Sequence, residues 1–315
     1  MRIGIDIMGG DFAPDAIVKG TILAHSQLPS DTELVLFGDS NKINEILAAE
    51  GFDASLLDII HTSEVIVMSD HPAKSFAKKQ DSSIAVGFKY LQSGKIDGFA
   101  SAGNTGAMLV GTMYTIKQIP GVIRPTISTI LPKENGEKAI LLDVGINPDC
   151  RPDVLYQYAI LGSIYAEFVH KIKNPRIGLL NIGSEEEKGN LLTKATHELM
   201  KGTNDFNFIG NIEGNEIFSS NKADVIVSDG FTGNVVLKQA ESFYTLIKER
   251  KIQDEYFDLF NFEIYGGTPI LGVNAPVIIG HGISNDIATK NMILHTDEVA
   301  RAKITEKIKE VFNNG

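Results

Sequence analysis

The chain has 315 residues, of which 43% are hydrophobic and 22% are charged, and its formal net charge is −11. This composition is typical of a soluble globular protein with one large domain or two lobes. The negative charge argues against general nucleic-acid binding, because a phosphate backbone needs clustered Lys and Arg. The single cysteine, Cys150, excludes intramolecular disulfides and thiolate metal clusters. No apolar run approaches the roughly 18 residues of a membrane span, and no signal peptide is recognisable, so we expect a cytoplasmic protein.

Strands and helices alternate from the start of the chain. Residues 2–7 form the first predicted strand, which leads through Gly10 and Asp11 into a helix. Further strands are predicted over 33–37 and 56–61. This alternation is typical of a three-layer α/β protein with a mainly parallel sheet. The glycine-rich loop would lie at the carboxyl edge of the sheet, where such proteins bind ligands, although a tight turn alone also explains it.

Residues 72–91 have the pattern of one helix, and three cations share one of its surfaces: Lys74, Lys78 and Lys79. A run of lysines of this kind is usually a solvated face. In an acidic protein it is also the best local candidate for contact with an anionic partner.

One motif occurs twice, at 97–107 and at 224–234, and the two copies align without a gap. Each reads Asp, three residues, then Ser-x-Gly-x-Thr-Gly, between a strand and a helix, and we expect Thr232 to cap the second helix. A strand, a glycine turn and a helix amino terminus present free backbone N–H groups, which bind phosphate. Ordinary turn chemistry explains one copy, whereas two copies favour a pair of anion-binding loops. Neither copy is a dinucleotide fingerprint or a P-loop.

The middle of the chain adds antiparallel strands. Asn135 and Gly136 form a strong hairpin signal between strands predicted over 126–131 and 139–144. The helix predicted over 154–169 is mostly apolar, which suits a core position or a subunit interface.

Lys188 follows a strand predicted over 176–182 and a turn at Gly183. It comes directly after three glutamates, so a surface charge that balances them is one interpretation. The other is a ligand-binding group, because this turn would project from the same edge as the glycine loops.

A last strand is predicted over 275–279 and runs into His281, which stands between two glycines. Flanking glycines would let a ligand approach, but a lone histidine is as often structural. The final helix is predicted over 287–312.

No low-complexity linker interrupts the chain. We therefore expect residues 1–315 to form a single compact α/β unit. Any lobes would comprise 1–118 plus 268–315, and 119–267.

The sequence lacks the motifs of a metal or cofactor site, since it has no His-Glu-x-x-His, no Cys-x-x-Cys and no acidic cluster at ligand spacing. It also lacks a Gly-x-Ser-x-Gly elbow, and no histidine is near Cys150, so a covalent nucleophile is not indicated. We predict an enzyme without metal or cofactor. Anion-binding loops without a nucleophile suggest that phosphate is itself a substrate, which attacks a thioester held close to it.

Several short runs occur in order along nearly the whole chain: Ile-Asp-Ile-Met-Gly-Gly-Asp at 5–11, Ser-Ala-Gly-Asn-Thr-Gly-Ala at 101–107, Leu-Asp-Val-Gly at 142–145, Asn-Ile-Gly-Ser-Glu at 181–185, Lys-Gly-Asn at 188–190, Asp-Gly-Phe-Thr-Gly-Asn at 229–234, Tyr-Gly-Gly at 265–267, Ala-Pro-Val at 275–277 and His-Gly at 281–282. Each run alone is a weak signal. Together they are specific, and the chain resembles the bacterial phosphate acyltransferases of phospholipid synthesis.

The resemblance implies an enzyme that makes acyl phosphate from acyl-[acyl-carrier-protein] and inorganic phosphate and releases the acyl carrier protein. It also implies a homodimer whose fold is similar to isocitrate and isopropylmalate dehydrogenases and to phosphate acetyltransferase. On this basis Lys188 would bind and orient phosphate, and Asn234 would polarise the thioester carbonyl. The remaining substrate-binding residues would be Gly10, Asp11, Gly103, Asn104, Thr105, Gly106, Gly230, Phe231, Thr232, Gly233 and His281. The carrier protein, which is acidic, would dock on Lys74, Lys78 and Lys79.

One stretch departs from the family pattern, because the chain between Leu237 and Tyr265 is shorter than the amphipathic helical hairpin expected there. In some family members that hairpin meets the membrane. Here Asp254, Glu255 and Asp258 would be repelled by anionic lipid, which argues against peripheral contact with the inner membrane face.

Two other functions stay open from the sequence. One is a phosphate acetyltransferase that uses coenzyme A, and the other is a non-catalytic phosphate or nucleotide sensor. A dehydrogenase of the related fold would need a divalent metal and an acidic ligand cluster that the sequence lacks.

Overall fold

The computed structural model describes residues 1–313, which divide into two units. Unit 1 comprises Met1–Gln118 and Phe262–Thr305, and unit 2 comprises Ile119–Asn261 and the residues from Glu306 onward. Each unit is an α/β structure with a mostly parallel sheet and flanking helices, so the predicted fold class is confirmed.

The first part of unit 1 alternates strands and helices. Its elements are β1 (Arg2–Asp6), α1 (Asp15–His25), β2 (Glu33–Gly38), α2 (Ser40–Ala49), β3 (Asp58–His61), α3 (Pro72–Lys78), α4 (Ser83–Gln92), β4 (Gly98–Ser101) and α5 (Thr105–Gly111). A π-helical turn, Thr112–Ile116, extends α5.

Unit 2 starts with a hairpin and then alternates. Its elements are β5 (Thr126–Pro132), β6 (Lys138–Leu142), α6 (Pro152–Phe168), β7 (Arg176–Asn181), α7 (Leu191–Met200), β8 (Asn207–Glu213), β9 (Val225–Val227), α8 (Gly230–Glu249) and α9 (Glu255–Asp258). The chain then returns to unit 1 with β10 (Thr268–Leu271), β11 (Val277–Ile279) and α10 (Asp286–Arg301), and it ends with α11 (Ile304–Asn313).

The strands of unit 1 lie in the order β3-β2-β1-β4-β11-β10, and all neighbours are parallel except β10 and β11. Ile5 pairs with Leu36 on one side and Ala100 on the other. Helices cover both faces of such a sheet, so β1 is apolar at successive positions, and Ile3 and Ile5 are fully buried.

The strands of unit 2 lie in the order β5-β6-β9-β7-β8. The pairing of β5 with β6 is antiparallel, which confirms the predicted hairpin across Asn135 and Gly136, and the other pairings are parallel. β9 lies in the middle between β6 and β7, where all three of its residues are fully buried.

Asp97 and Asp224, the first residues of the two motif copies, hold the amino ends of neighbouring strands. Oδ2 of Asp97 accepts a hydrogen bond from the backbone N–H of Arg2 at 2.7 Å, and the N–H of Asp97 donates to the Arg2 carbonyl. Asp224 makes the same pair of bonds with Arg176. The first residue of the motif is therefore a structural clamp at the edge opposite to the glycine turn.

Two predicted helices are interrupted. The single helix predicted over 72–91 is wrong, because the chain turns between α3 and α4. Nζ of Lys79 reaches back to the Val65 carbonyl at 2.7 Å and to Asp70 at 2.6 Å, and Ser82 caps α4. The single helix predicted over 287–312 is also wrong, since Lys303 has a left-handed φ of 52° between α10 and α11. Among the residues that the structure describes, no helix has the length and apolarity of a membrane crossing.

Candidate active site

A cavity of about 230 Å³ lies in unit 2 at the carboxyl ends of β7 and β9. Its lining combines apolar, amide and hydroxyl side chains from Leu155, Leu179, Leu180, Asn181, Ile182, Gly189, Asn190, Thr193, Ser228, Asp229 and Thr232. The carboxyl edge of a parallel sheet is where α/β proteins bind ligands. Lys188 precedes Gly189 in the chain, and Asn234 follows Thr232 by two residues, so both predicted catalytic residues lie on segments that line this cavity.

The turn between β9 and α8 packs closely against the end of β6. A Cβ atom at Gly233 would collide with the carbonyl oxygen of Asp143, and one at Gly230 would lie 2.9 Å from the carboxylate of Asp143. That buried carboxylate accepts hydrogen bonds from the N–H groups of Gly145 and Asn147 at 3.1 and 2.7 Å. Both motif glycines are therefore needed for backbone packing.

The amino terminus of α8 is less open to an anion than the sequence predicts. Asp229, not Thr232, is the cap residue, and its carboxylate accepts from the N–H and the hydroxyl of Thr232, each at 2.9 Å. The N–H groups of Gly230 and Gly233 donate to backbone carbonyls. Of the four N–H groups in the first turn, 230–233, only that of Phe231 has no acceptor among the described residues. A carboxylate at this position also repels phosphate.

Asn234 lies in the first turn of α8 and is half-buried. Its Nδ2 atom donates to the carbonyl oxygen of Val144 at 3.1 Å. Gly145, whose φ is 145°, lies against the same amide, which a Cβ at that position would approach to 3.2 Å. Because an amide nitrogen carries two protons, one N–H of Asn234 remains for a ligand.

The loop that carries Lys188 is held by two buried amide side chains. Nδ2 of Asn181 donates to the Lys188 carbonyl at 3.1 Å, and Nδ2 of Asn211 donates to the Glu185 carbonyl at 2.9 Å. Gly189 has a φ of 99°, and the side chains of Asn181 and Thr193 occupy the space that a Cβ there would need. The loop is therefore fixed through its backbone, and Lys188 is free to present its ammonium group.

The side chain of Lys188 is exposed, and it makes no ion pair with any residue between 1 and 313. Of the three preceding glutamates, Glu186 pairs with Lys201 at 2.5 Å instead. The interpretation of Lys188 as a charge that balances these glutamates therefore has no support in the contacts. An exposed ammonium beside a cavity can bind an anion.

Cys150 lies near the same turn, where its Sγ atom contacts the Asn147 carbonyl at 3.4 Å. Burial raises the pKa of Cys150 to about 11, and the nearby carboxylates of Asp143 and Asp229 also raise it. A thiol with this pKa is protonated at neutral pH, so it is a poor nucleophile.

A second group of predicted residues lies at the carboxyl edge of unit 1. The N–H of Asp11 donates to the Gly282 carbonyl at 2.7 Å, and Gly10, with a φ of 111°, packs against that same carbonyl. Gly103 lies against the Gly9 backbone, and the ring of His281 packs on Phe262 with centroids 4.5 Å apart. Four loop residues predicted to bind substrate, Gly10, Asp11, Gly103 and His281, are thus brought together by packing within unit 1.

The first turn of α5 has a different arrangement from that of α8. Asn104 is its cap residue, and the Asn104 amide also donates to the carbonyls of Val67, Met68 and Asp70 at 3.1 to 3.2 Å. The side chain of Asn104 is therefore fully used within unit 1. The N–H groups of Thr105 and Gly106 have no acceptor among the described residues, and Pro72 occupies the space beside Gly106.

Asp6 supports the loops of unit 1 from below. Its carboxyl group is fully buried at the end of β1 and accepts from Ser101 Oγ at 2.6 Å and from the Met8 N–H at 3.0 Å. Burial raises the pKa of Asp6, and these hydrogen bonds oppose the rise. Asp6, Asn181 and Asp229 were not among the predicted site residues, although each lies in one of the short runs that carry the family resemblance, at 5–11, 181–185 and 229–234.

The three lysines predicted to dock a carrier protein do not share one environment. Lys74 and Lys78 on α3 are exposed and have no ion pair within residues 1–313, whereas Lys79 is held by Asp70 and the Val65 carbonyl. Lys79 is therefore a structural residue, and two free cations remain on α3. No group of three or more potential metal ligands occurs among the described residues, 1–313.

Comparison with known proteins identifies the family. The sequence model of the family described as fatty acid synthesis protein matches residues 1–307 of this chain. The phosphate acyltransferase of Desulfitobacterium hafniense strain DCB-2 is 43% identical, over 98% of this chain and 97% of its own. That of Dictyoglomus turgidum is 39% identical, over 99% and 98%. The chain belongs to the phosphate acyltransferase family. It is therefore an acyl-transferring enzyme.

Alignments with members of the phosphate acyltransferase family span 329 to 333 positions, so these relatives carry residues that this chain of 315 lacks.

The fold of this phosphate acyltransferase family member is similar to that of solved phosphotransacetylases. The enzyme of Streptococcus pyogenes superposes with a TM-score of 0.68 at 18% identity, over 96% of this chain and 94% of that chain. The EutD phosphotransacetylase of Staphylococcus aureus gives 0.63 at 16% identity, over 95% and 94%. At these identities the similarity shows the fold alone.

Proposed function

We propose that the enzyme transfers the acyl group of acyl-[acyl-carrier-protein] to inorganic phosphate, with acyl phosphate and free carrier protein as products. The observation that carries this proposal is the identity of 39 to 43% with phosphate acyltransferases over nearly the whole of both chains. Formation of the acyl phosphate would supply an activated acyl group to phospholipid synthesis.

Lys188 is the proposed phosphate-binding residue. Its exposed ammonium pairs with no carboxylate of the described residues, 1–313, and the Asn181 amide fixes the loop backbone beside it. An ammonium that orients the dianion lowers the charge repulsion against the carbonyl and reduces the entropy cost of bringing the two reactants together. An unprotonated oxygen of hydrogen phosphate then attacks the carbonyl carbon, and the C–S bond breaks. The proton of the hydrogen phosphate passes to the departing sulfur, so the carrier leaves as its thiol.

Asn234 is the proposed donor to the thioester carbonyl oxygen. One of its N–H groups is held by the Val144 carbonyl, which fixes the amide in place. The other can donate to the oxyanion that develops during attack, and a fixed donor of this kind acts most strongly in the transition state. The protonated thiol of Cys150 is consistent with direct attack by phosphate without an acyl-enzyme intermediate.

The predicted substrate-binding residues at the carboxyl edge of unit 1 are proposed as a second substrate-binding group. The N–H groups of Thr105 and Gly106 are available as donors, and His281 flanks Gly282, which holds the Asp11 loop. On α3 we propose Lys74 and Lys78 as the docking surface for the acidic carrier protein, through electrostatic steering.

A homodimer is also proposed. Phe231, Val235 and Leu246 are exposed by 66, 50 and 50% and lie on one face of α8. Exposed apolar side chains on one helix face favour association with a second copy.

For location, we propose the cytoplasm without stable membrane contact. The rings of Phe257 and Phe260 are partly buried and line a cavity of unit 2, while the neighbouring Asp254 and Asp258 are exposed. Exposed carboxylates oppose binding to anionic lipid. Co-sedimentation with anionic vesicles at low salt would contradict this proposal.

A thiol-release assay tests the proposed function. The purified protein is incubated with palmitoyl-carrier-protein or with acetyl-coenzyme A, each with and without phosphate, and free thiol is measured. We expect phosphate-dependent release from the carrier thioester only. Release from acetyl-coenzyme A alone would instead indicate a phosphate acetyltransferase. Phosphate binding without release from either substrate would indicate a sensor.

A further inference from the structure

A large apolar cavity lies in unit 2, apart from the small cavity beside Lys188. Its volume is about 630 Å³, within the usual range for ligand sites. Val236, Ala240, Phe243 and Ile247 line it from one side of α8, and Phe257 and Phe260 line it from α9 and the residue stretch that follows. None of the described residues that line this cavity is charged. Its chemistry therefore suits an uncharged hydrocarbon.

The cavity is partly open to solvent and extends along α8. Between Val236 and Ile247 it follows the helix for 11 residues, which is about 17 Å. This length and the uncharged lining suit a polymethylene chain.

We propose that this cavity binds the hydrocarbon chain of the acyl substrate and sets the preference for chain length; this rests on the proposed acyl transfer. Val236 is only two residues, or about 3 Å along the axis, beyond Asn234. Residues two apart point to opposite sides of a helix. The chain therefore bends around the first turn of α8 as it leaves the carbonyl and then runs along the helix towards Ile247.

The length of the cavity limits the number of carbons that it can bury. An extended chain advances about 1.3 Å per carbon, so about 13 carbons span the lined part of α8. Each methylene buried in an apolar site improves binding by up to about fourfold, the equivalent of about 0.8 kcal/mol. We expect kcat/KM to rise with chain length up to about 14 carbons and then to level off.

Gly214 allows the cavity to be filled without strain. It lines the cavity, its φ is not left-handed, and a Cβ there meets no atom within 4 Å. Gly214→Phe should lower kcat/KM for carrier thioesters of 14 and 16 carbons by at least about tenfold and leave a six-carbon substrate within about twofold. Ala240→Phe is the second filling variant. Ile209→Phe, at a half-exposed position on β8 outside the cavity, is the matched control.

Fluorescence of cis-parinaric acid, an eighteen-carbon fatty acid, gives a readout that needs no catalysis. We expect its affinity to fall about tenfold in Gly214→Phe and in Ala240→Phe, and not in Ile209→Phe. If no thioester of any length releases thiol, the proposed function has failed, and probe binding alone then decides for or against the cavity.

Unchanged chain-length profiles together with unchanged probe binding in both filling variants would overturn the proposal. So would a change of oligomeric state in those variants without any change in the chain-length profile, because the cavity would then be part of a subunit contact.

Discussion

Lys188 and Asn234 are held in opposite ways, and this difference shapes what their replacement should do. The backbone of Lys188 is fixed and its side chain is exposed, whereas the side chain of Asn234 is itself bonded to Val144. Loss of the Lys188 side chain should therefore leave the fold unchanged. Loss of the Asn234 side chain removes one internal hydrogen bond as well as the proposed donor.

For Lys188→Ala we expect kcat/KM for phosphate to fall by about 10²-fold, mainly through a higher KM for phosphate, because the anion loses its cation. Thiol release at varied phosphate concentration measures this. Lys173→Ala, at another exposed lysine of unit 2, is the control and should behave as wild type. A normal KM for phosphate in Lys188→Ala would remove this residue from the site.

For Asn234→Ala we expect kcat to fall by about 10² to 10³-fold with little change in the KM for phosphate, as when an oxyanion donor is removed. Asn234→Asp should be equally inactive, because it keeps the shape and loses both N–H groups. Thermal unfolding should show a small loss of stability, of about 1 kcal/mol for the hydrogen bond to Val144. A near wild-type kcat in Asn234→Asp would contradict the donor role.

The cap of α8 in the second motif could not be predicted from the sequence. The strand, glycine turn and helix of the second motif could be predicted from residues 224–234, but the choice of cap between Thr232 and Asp229 could not. Both residue types cap helices, and the outcome depends on where the chain leaves β9 and on the contact between Gly230 and Asn147. The N–H groups of Gly230, Thr232 and Gly233, which were predicted to be free, are therefore hydrogen-bonded within the protein.

At the scale of elements, α3 is shorter than the sequence predicts, and this changes its surface. The chain turns after Lys78 because Lys79 is drawn back to Asp70. Helical periodicity cannot reveal this ion pair, because Asp70 precedes α3 in the chain and Lys79 follows it. The change leaves Lys74 and Lys78 as the exposed cations of the helix.

The double variant Lys74→Glu/Lys78→Glu should raise the KM for the carrier-protein thioester by about tenfold at low salt and leave kcat within about twofold, because steering acts before chemistry. The effect should shrink as salt increases. Kinetics with palmitoyl-carrier-protein at two ionic strengths measure it, and Lys173→Glu serves as the control. An unchanged KM would place carrier docking elsewhere.

β9 gives the second prediction at this scale. Burial alone would raise the pKa of Asp224, but hydrogen bonds from Arg176 and the buried Lys133 lower it from 3.8 to about 2. A carboxylate with a depressed pKa stabilises the fold above its unfolded pKa, and this contribution is lost as pH falls through the folded pKa. Asp224 should therefore contribute about 2 kcal/mol at neutral pH that disappears between about pH 4 and pH 2.

Urea unfolding of wild type and Asp224→Asn at pH 7 and at pH 2 measures this contribution. The variant should be less stable at pH 7 by about 2 kcal/mol or more, since Lys133 loses its partner, and the gap should narrow at pH 2. Asp149→Asn is the exposed control. A gap that stays constant with pH would show that the carboxylate charge is not what stabilises β9.

At the scale of the whole molecule, the α/β class and the hairpin of β5 and β6 were predictable because they rest on local periodicity and on the turn at Asn135 and Gly136. The strand β8 was not predicted. It has a register shift in its pairing with β7, and Gly210 has a φ of 96°, so the alternating pattern of a strand is broken. The hydrogen bond from Asn211 on that strand to the Glu185 carbonyl could not be predicted for the same reason.

The proposed homodimer is tested at this scale. Val235→Asp and Leu246→Asp should each convert a dimer to a monomer in light scattering coupled to size exclusion, because a charge in an apolar contact is costly to desolvate. Ile209→Asp, at an exposed apolar residue of β8, should stay dimeric. A wild-type protein that is monomeric at micromolar concentration would contradict the proposal.

The reciprocal bonds of Asp97 with Arg2 and of Asp224 with Arg176 have a practical consequence for protein engineering. They anchor each motif at the amino end of its strand, away from the glycine turn. Anyone transplanting the Ser-x-Gly-x-Thr-Gly turn into another parallel sheet should therefore carry the upstream aspartate with it and choose a host whose adjacent strand offers a backbone N–H and carbonyl at the matching level. A graft without that anchor would keep the loop sequence and lose the strand position that shapes it.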